Sequence, residues 1–551
     1  MCIIRKIFAF LLAAYFAVAG FFGSIDLSGK YVFKVDASQL GDAAGNKASN
    51  VNLWDMGTQF YNPVRNEEND IFEFVEYVQL MQCTGGNPER DLFKDPYDTS
   101  VLDDYDFEPL IKNCRGIISL GAKPHLKLGS VPMKYTKDFS LDYFGTNVYP
   151  PDDYDVYYNY IAAIAQALVD EFGKDEVMTW HFGVMTEYEN SDWFKTQSGD
   201  PAESAEAYCK LYDYTVAALQ DVIGKDVYVG AHSMSVSEGL WDEEIFIRHC
   251  AEGTNYKTGE KGTRICYLSA SFYVSAPGDK NKGRKSLPDM FDELRGYAEK
   301  YGLNDLRYGV DEGRVLVGNS SGTDSNELML RAAGCLWQAA FDARLYSQMI
   351  ENNVDYFSYW GYFSGGLMHG NPTVSYHVSN NIQKFKNSKL AKVKRTCKGL
   401  IPKAEVNTVA AYDENENILH IMAYNYKNDV DYDRSANLSL KINVPQLPDG
   451  EATLTTYRIN DDCNFFDEWQ EDRKTYGIGD ECFSWSPDDG NIEGILRDSE
   501  KRQLYFNELN AKYKECSVLT PTETKVEIKD GSLVLDAKIG GNEVVFYELS
   551  R

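Results

Sequence analysis

The 551-residue chain is poor in the residues that hold metals and cofactors. Its seven His include no His-Glu-x-x-His arrangement, and its eleven Cys include no Cys-x-x-Cys pair. Both absences argue against a zinc centre, catalytic or structural. No β-type run leads into a Gly-x-Gly-x-x-Gly or Gly-x-x-x-x-Gly-Lys turn, so no nucleotide cradle is expected. The expectation is no metal and no cofactor. Basic residues are scarce as well, with 55 Lys+Arg against 84 Asp+Glu for a net charge of −29. A nucleic-acid partner needs a basic face to displace counterions from phosphates, and no Lys/Arg cluster here supplies one. There are no internal repeats, no low-complexity linkers and, past the N-terminus, no run apolar enough to span a membrane.

One apolar run stands at the start. Arg5 and Lys6 precede Ile7–Ala19, which ends in Ala-Val-Ala, the pattern of a secretory signal peptide over residues 1–19. The alternative is a membrane anchor that takes in Phe21 and Phe22, still short of the roughly 20 residues a span needs. Cys2 precedes the run rather than following it, which argues against a lipoprotein anchor. Without the signal the protein carries 53 basic and 84 acidic residues, a charge of −31. It is expected to be secreted, membrane-tethered only if the signal stays uncleaved. Its remaining ten Cys are expected as buried thiols or one or two disulfides.

What is present is an ordinary globular composition, 43% hydrophobic and 25% charged, with 38 Tyr that can stack on flat faces. Eight β-type runs alternate with helical patterns: Val51–Met56, Tyr77–Met81, Lys123–Leu128, Thr179–Met185, Asp226–Ala231, Ile265–Tyr273, Leu306–Asp311 and Tyr356–Trp360. Ile161, Ile164, Leu168 and Phe172 recur at helical spacing before Gly173, and Asn326–Ile350 is a second such stretch. Eight strands alternating with helices predict an α/β fold, a (β/α)8 TIM barrel, over residues 30–386. A doubly wound open sheet is the alternative. Beyond about Ser388 alternating strands dominate, with an Asp530-Gly531 turn between two of them. They predict a C-terminal β-sandwich over 387–551, which the early run Lys30–Val35 could join.

Chemistry in such a barrel sits where strands end. Glu187 lies just past the fourth run and Glu312 ends the seventh, 125 positions apart, so they would face one another across the mouth. Two carboxylates placed so can perform glycoside chemistry, one as proton donor and one as nucleophile. The bland alternative for either is a surface carboxylate in a salt bridge. Trp360 ends the eighth run, either as a platform beneath a sugar ring or as a core residue. His125 either reaches the substrate or fills the barrel. Trp54, Phe60 and Tyr61 follow the first run as candidates for the rim.

Several segments carry a resemblance. Trp180 to Phe194, Gly121 to Pro132, Val354 to Trp360, Gly366 to Gly370 and Tyr457 to Trp469 resemble, in order, segments of glycoside hydrolase family 39, the β-xylosidase and α-L-iduronidase group of retaining barrel glycosidases. The resemblance implies Glu187 as acid/base and Glu312 as nucleophile. Thr186, where the family's Asn grips the sugar 2-hydroxyl, Tyr273, which could hydrogen-bond the nucleophile, and by position Trp360 and His125 are the expected substrate-binding residues; the substrate the resemblance implies is an oligosaccharide or glycoside, β-xyloside-like and attacked from its end. The chain departs from the pattern at Thr186, where the family has Asn, at Met185 for Trp, and at Ser271 for His. Those departures keep open another sugar (an arabinoside, galactoside, glucoside or uronide) and a carbohydrate-binding barrel that has lost catalysis.

Overall fold

In the computed structural model the strand β1 (Lys30–Ala43) is followed by eight short strands that close into a parallel barrel: β2 (Asn50–Leu53), β3 (Tyr77–Leu80), β4 (Lys123–Leu128), β5 (His181–Val184), β6 (Val229–Ser233), β7 (Tyr267–Ser275), β8 (Arg307–Leu316) and β9 (Tyr356–Trp360). Each overlaps one of the eight predicted runs, and β9 returns to β2 with Ser358 opposite Asn50. The structure describes residues 29–53, 60, 61, 63, 69–235, 237–275, 277, 284–316, 334–360, 367, 368, 371–399, 404–479 and 498–551. The signal-peptide segment 1–19 and Trp54 lie outside the described residues, as does the side chain of Trp360.

Helices cover the outside of the barrel for reasons the sequence states. Asp153 caps the helix Tyr154–Phe172 by accepting from the Asp155 and Val156 amides, and Gly173 at φ 83° ends it. Asp200 caps Pro201–Val222 in the same way, with proline where the amide needs no partner. The interior is less ordinary. Instead of layers of branched aliphatics, β4 turns His125 and Lys127 inward and β7 turns in Tyr267, Ser269, Ser271 and Tyr273. These side chains are buried and satisfied in pairs, His125 with Tyr267, Lys127 and Ser269 with Asp311, Ser271 with Glu187 and Tyr273 with Glu312.

Past the barrel come β10 (Lys389–Cys397), β11 (Glu405–Asp413), β12 (Ile418–Tyr426), β13 (Ala436–Asn443), β14 (Gly450–Ile459), β15 (Thr522–Ile528), β16 (Ser532–Ile539) and β17 (Val544–Ser550). With β1 they form one sheet in the order β15-β14-β17-β12-β11-β10-β1-β13-β16. It folds over so that Tyr31, Phe33 and Val35 share a core with Ile421, Leu440, Leu454 and Tyr547. The expected sandwich is present, and β1 is an interior strand of it, antiparallel to β10 and parallel to β13. The Asp530-Gly531 turn, closed by an isolated bridge between Lys529 and Ser532, has both residues at positive φ and sends the chain from β15 at one edge of the sheet to β16 at the other.

The outer faces of β12 and β17 pack on the barrel through Met422, Tyr424 and Phe546, and Arg344 Nε meets Glu405 at 2.6 Å. One feature departs from a plain sandwich. Between β14 and β15 lies a helical insertion with its own small core of Phe465, Trp469, Tyr505 and Tyr513. It is tied to the barrel where Asn371 donates to Tyr505 Oη at 3.1 Å.

Candidate active site

The carboxylate Glu312 owes its aim to an irregularity in β8. The register with β7 pairs Ala270 with Val310 but Ser271 with Glu312, so Asp311 is an extra residue. A bulge breaks the two-residue alternation and lets consecutive side chains face the same way. Asp311 therefore points into the barrel and Glu312 into its mouth. Asp311 is the hub of the interior. It forms a fully buried ion pair with Lys127 and accepts from Ser269 Oγ and Tyr356 Oη, each at 2.6 Å. Its carbonyl accepts from Asn52 at 2.5 Å and Gln79 at 2.9 Å. Above it, Tyr273 Oη donates to Glu312 Oε1 at 2.5 Å, while Glu312 Oε2 has no hydrogen-bond partner among the described residues.

Glu187 sits on a turn just past β5, at φ 42°, in the left-handed region that disfavours a side chain. The turn is stitched to the segment after β6. The Tyr188 amide donates to the His232 carbonyl at 3.1 Å. Glu189 Oε1 accepts from Ser233 Oγ and the Met234 amide, both at 2.6 Å. Glu187 itself is 7% exposed. Ser271 Oγ donates to its Oε1 at 2.6 Å and Asn190 Nδ2 to its Oε2 at 2.7 Å.

One oxygen of Glu187, one of Glu312 and a ring nitrogen of His232 lie within 4.8 Å of one another. They are the one group among the described residues whose atoms converge enough to hold a metal ion. The hydrogen bond from His232 to Ser271, at 2.9 Å, gives that convergence another cause. Burial raises Glu187 above the ordinary carboxyl range, against the pull of its Ser271, Asn190 and Trp193 hydrogen bonds. Burial and then the charge of Glu187 push Glu312 up to about 8, opposed by Tyr273 and Lys127. Two carboxyls this close hold one proton between them near neutral pH.

The structure brings Thr186 and Tyr273 to this mouth with the two glutamates. Thr186 is buried, its hydroxyl 3.5 Å from the Met81 carbonyl. Trp360 ends β9 opposite Asn52, its backbone at the rim. His125 is a correction. It lies fully buried, with Nε2 2.9 Å from Tyr267 Oη and its ring against His181. Lys127, one inward position further along β4, fills the space between it and the mouth, so His125 is core rather than substrate-lining. Phe60 is not rim either. It is buried, with its carbonyl close against Gly116 on the helix Glu108–Ser119 outside the barrel.

Sequence reasoning missed Asn190, His232, Lys127 and Asp311 as parts of the site. The polar alternation Ser269-Ala270-Ser271-Phe272-Tyr273 was the available signal, since three polar side chains on one face of a buried strand need partners.

The profile of Glycosyl hydrolases family 39 matches residues 98–471, well over half of the chain. The chain belongs to that family. Among curated family relatives, a beta-xylosidase of Geobacillus stearothermophilus is 26% identical over 149 residues, 27% of this chain and 28% of that one. An alpha-1,4-L-rhamnosidase of Formosa agariphila is 23% identical over 334 residues, 59% of this chain and 61% of that one. The matches thus span less than two thirds of either relative. A solved monomeric beta-xylosidase from Caulobacter crescentus superposes with TM-score 0.62 at 16% identity, covering 94% of this chain and 99% of that one. A solved family 39 enzyme from Xanthomonas axonopodis pv. citri gives 0.61 at 15%, covering 94% and 97%. At these identities the likeness establishes a shared barrel and sandwich.

Proposed function

We propose that this family 39 protein is an exported retaining glycoside hydrolase that removes terminal sugars from β-xyloside-like glycosides. The observation that carries the reading is the approach of the two carboxylates, with oxygens within 4.8 Å. Retaining enzymes hold their carboxyls about 5–5.5 Å apart, whereas inverting ones leave room for a water at roughly 6.5–9.5 Å. Glu312 has an oxygen free of donors among the described residues to attack the anomeric carbon, and Tyr273 holds the other. Glu187 protonates the leaving oxygen, and its ionised form then draws a proton from the water that releases the glycosyl-enzyme. Export rests on the pattern of residues 1–19. An acidic protein also suits neutral sugars better than polyanions.

Changing Glu312 to Gln is expected to abolish turnover. Changing Glu187 to Ala is expected to spare aryl glycosides with activated leaving groups, with azide restoring the second step. Near-normal rates in the Glu312→Gln protein on every substrate would end the assignment.

A second reading, the same chemistry on an α-L-rhamnoside, is favoured by the rhamnosidase match, which at 334 residues is longer than the beta-xylosidase match of 149. Thr186, which offers one hydroxyl where Asn offers an amide and a carbonyl, also fits an altered 2-position contact. A panel of aryl xylosides, rhamnosides, arabinosides, galactosides, glucosides and uronides separates the sugars. Release of monosaccharide from the first minutes tests end-wise attack. Oligosaccharide binding without product across the panel would point instead to a degenerate binding barrel.

A further inference from the structure

We propose that His232, acting through Ser271, is a positioning residue that orients the carboxyl of Glu187 and sets its proton affinity. The proposal rests on the reading of Glu187 as acid/base. His232 and Ser271 stand on neighbouring strands, one inward position out of register, since His232 pairs with Ser269 across β6 and β7. This diagonal brings His232 Nε2 to 2.9 Å from Ser271 Oγ, and Ser271 Oγ to 2.6 Å from Glu187 Oε1. A hydroxyl has one proton to give. When Ser271 gives its proton to the ionised Glu187, the only role left for His232 is donor, so Nε2 carries the hydrogen. Its Nδ1, buried and without a partner among the described residues, then carries none.

His232 remains neutral in this chain. Burial pulls it well below its ordinary value, Lys127 adds to that pull, and Asp311 opposes it. It therefore serves as a fixed dipole and not as a proton store. Donors in series polarise one another, so the imidazole strengthens the hydrogen bond that Ser271 offers the carboxylate. The same residue holds the turn from its main chain, where its carbonyl accepts from the Tyr188 amide. His232 thus grips both the backbone next to Glu187 and, at one remove, its side chain. The other groups acting on Glu187 are Asn190, Trp193 and Asp192, with the charge of Glu312 facing it across the mouth.

The test is the alkaline limb of kcat/KM on an aryl glycoside with a poor leaving group, which needs Glu187 protonated. A donor favours the ionised form, so removing one raises the pKa and moves the limb to higher pH. Ser271→Ala is expected to move it up by about one unit. His232→Leu should move it the same way by about 0.3 unit, and His232→Gln, which keeps an N–H near the place of Nε2, should restore it. The double variant should match Ser271→Ala alone, because His232 acts only through that hydroxyl. A limb unmoved in His232→Leu, or additive shifts in the double variant, would overturn the proposal. Should His232→Leu fail to fold, the Gln variant carries the test in the Ser271→Ala background, where any further shift also overturns it. Glu187→Gln separates the two claims. If it keeps the alkaline limb, the acid/base reading is what fails; if it loses the limb while the His232 variants leave it in place, only the present proposal fails.

Discussion

The ion pair between Lys127 and Asp311 yields the sharpest quantitative expectation. Both side chains are fully buried, directly beneath Glu312. Lys127→Met leaves Asp311 charged and surrounded by donors that cannot neutralise it. Breaking a buried pair from one side costs about 3–5 kcal/mol, or ~6–10 °C in the midpoint of thermal unfolding at roughly 2 °C per kcal/mol for a domain of this size. Asp311→Asn costs less. It keeps an acceptor for Lys127, and the nearby charge of Glu312 holds Lys127 in its ionised form. The two variants must also move the nucleophile in opposite directions. Lys127 lowers the pKa of Glu312 and Asp311 raises it. Glu312 attacks only when ionised, so the acid limb of kcat/KM reports that pKa. Lys127→Met is expected to shift the limb up, and Asp311→Asn down, each by about one unit. Calorimetry and a pH–rate profile on one aryl glycoside read both effects. Shifts of the same sign, or a Lys127→Met protein as stable as the parent, would refute the reasoning.

Glu189 gives a pH-dependent stability. Burial and then the charge of Glu243 raise it from 4.5 to about 8. A carboxyl raised in the folded state stabilises fully only below its unfolded value, and that stability is lost as pH rises through the folded one. Glu189→Gln should therefore unfold at a higher temperature than the parent at pH 9, by at most about 5 kcal/mol of stability, with the difference vanishing near pH 4; a difference constant with pH would contradict this. Gly183→Ala would set a Cβ 2.6 Å from Lys127 Cδ and 2.9 Å from Tyr267 Oη. In a packed interior that is expected to cost about 1–3 kcal/mol in urea unfolding, and an unchanged midpoint would show that Lys127 has room to move.

Glu187 was legible because its position depends only on a strand end, which β-type runs mark well; Glu312 closes a β-type run, but the strand continues past it to Leu316 and the bulge sets its aim. The barrel's interior was not, because a charged residue within a β run reads as outward-facing. Lys127 and Asp311 break that rule together, and the bulge that turns Asp311 inward has no local signature in Gly309-Val310-Asp311-Glu312-Gly313. His232 was hidden for another reason. Its bond to Ser271 is a diagonal across two strands whose register is fixed only when the barrel closes. In the sandwich, β10 carries a weak strand signal, because Lys392, Lys394 and Arg395 are all exposed and few apolar residues alternate with them. The helix Phe466–Tyr476 is mostly polar and becomes ordered against Tyr505 and Tyr513 from elsewhere in the chain.

The place of β1 constrains how the molecule comes into being. Asp36 accepts from Asn443 across 407 residues of chain. At about 5–20 residues per second of synthesis, β1 leaves the ribosome roughly 20–80 s before that partner exists. Throughout that interval the alternating face of Tyr31, Phe33, Val35 and Ala37 has no sheet to enter, while the barrel can assemble behind it. The second domain is therefore sealed last, by the oldest part of the chain, and a deletion of β1 would split the sheet between β10 and β13 and not trim its edge.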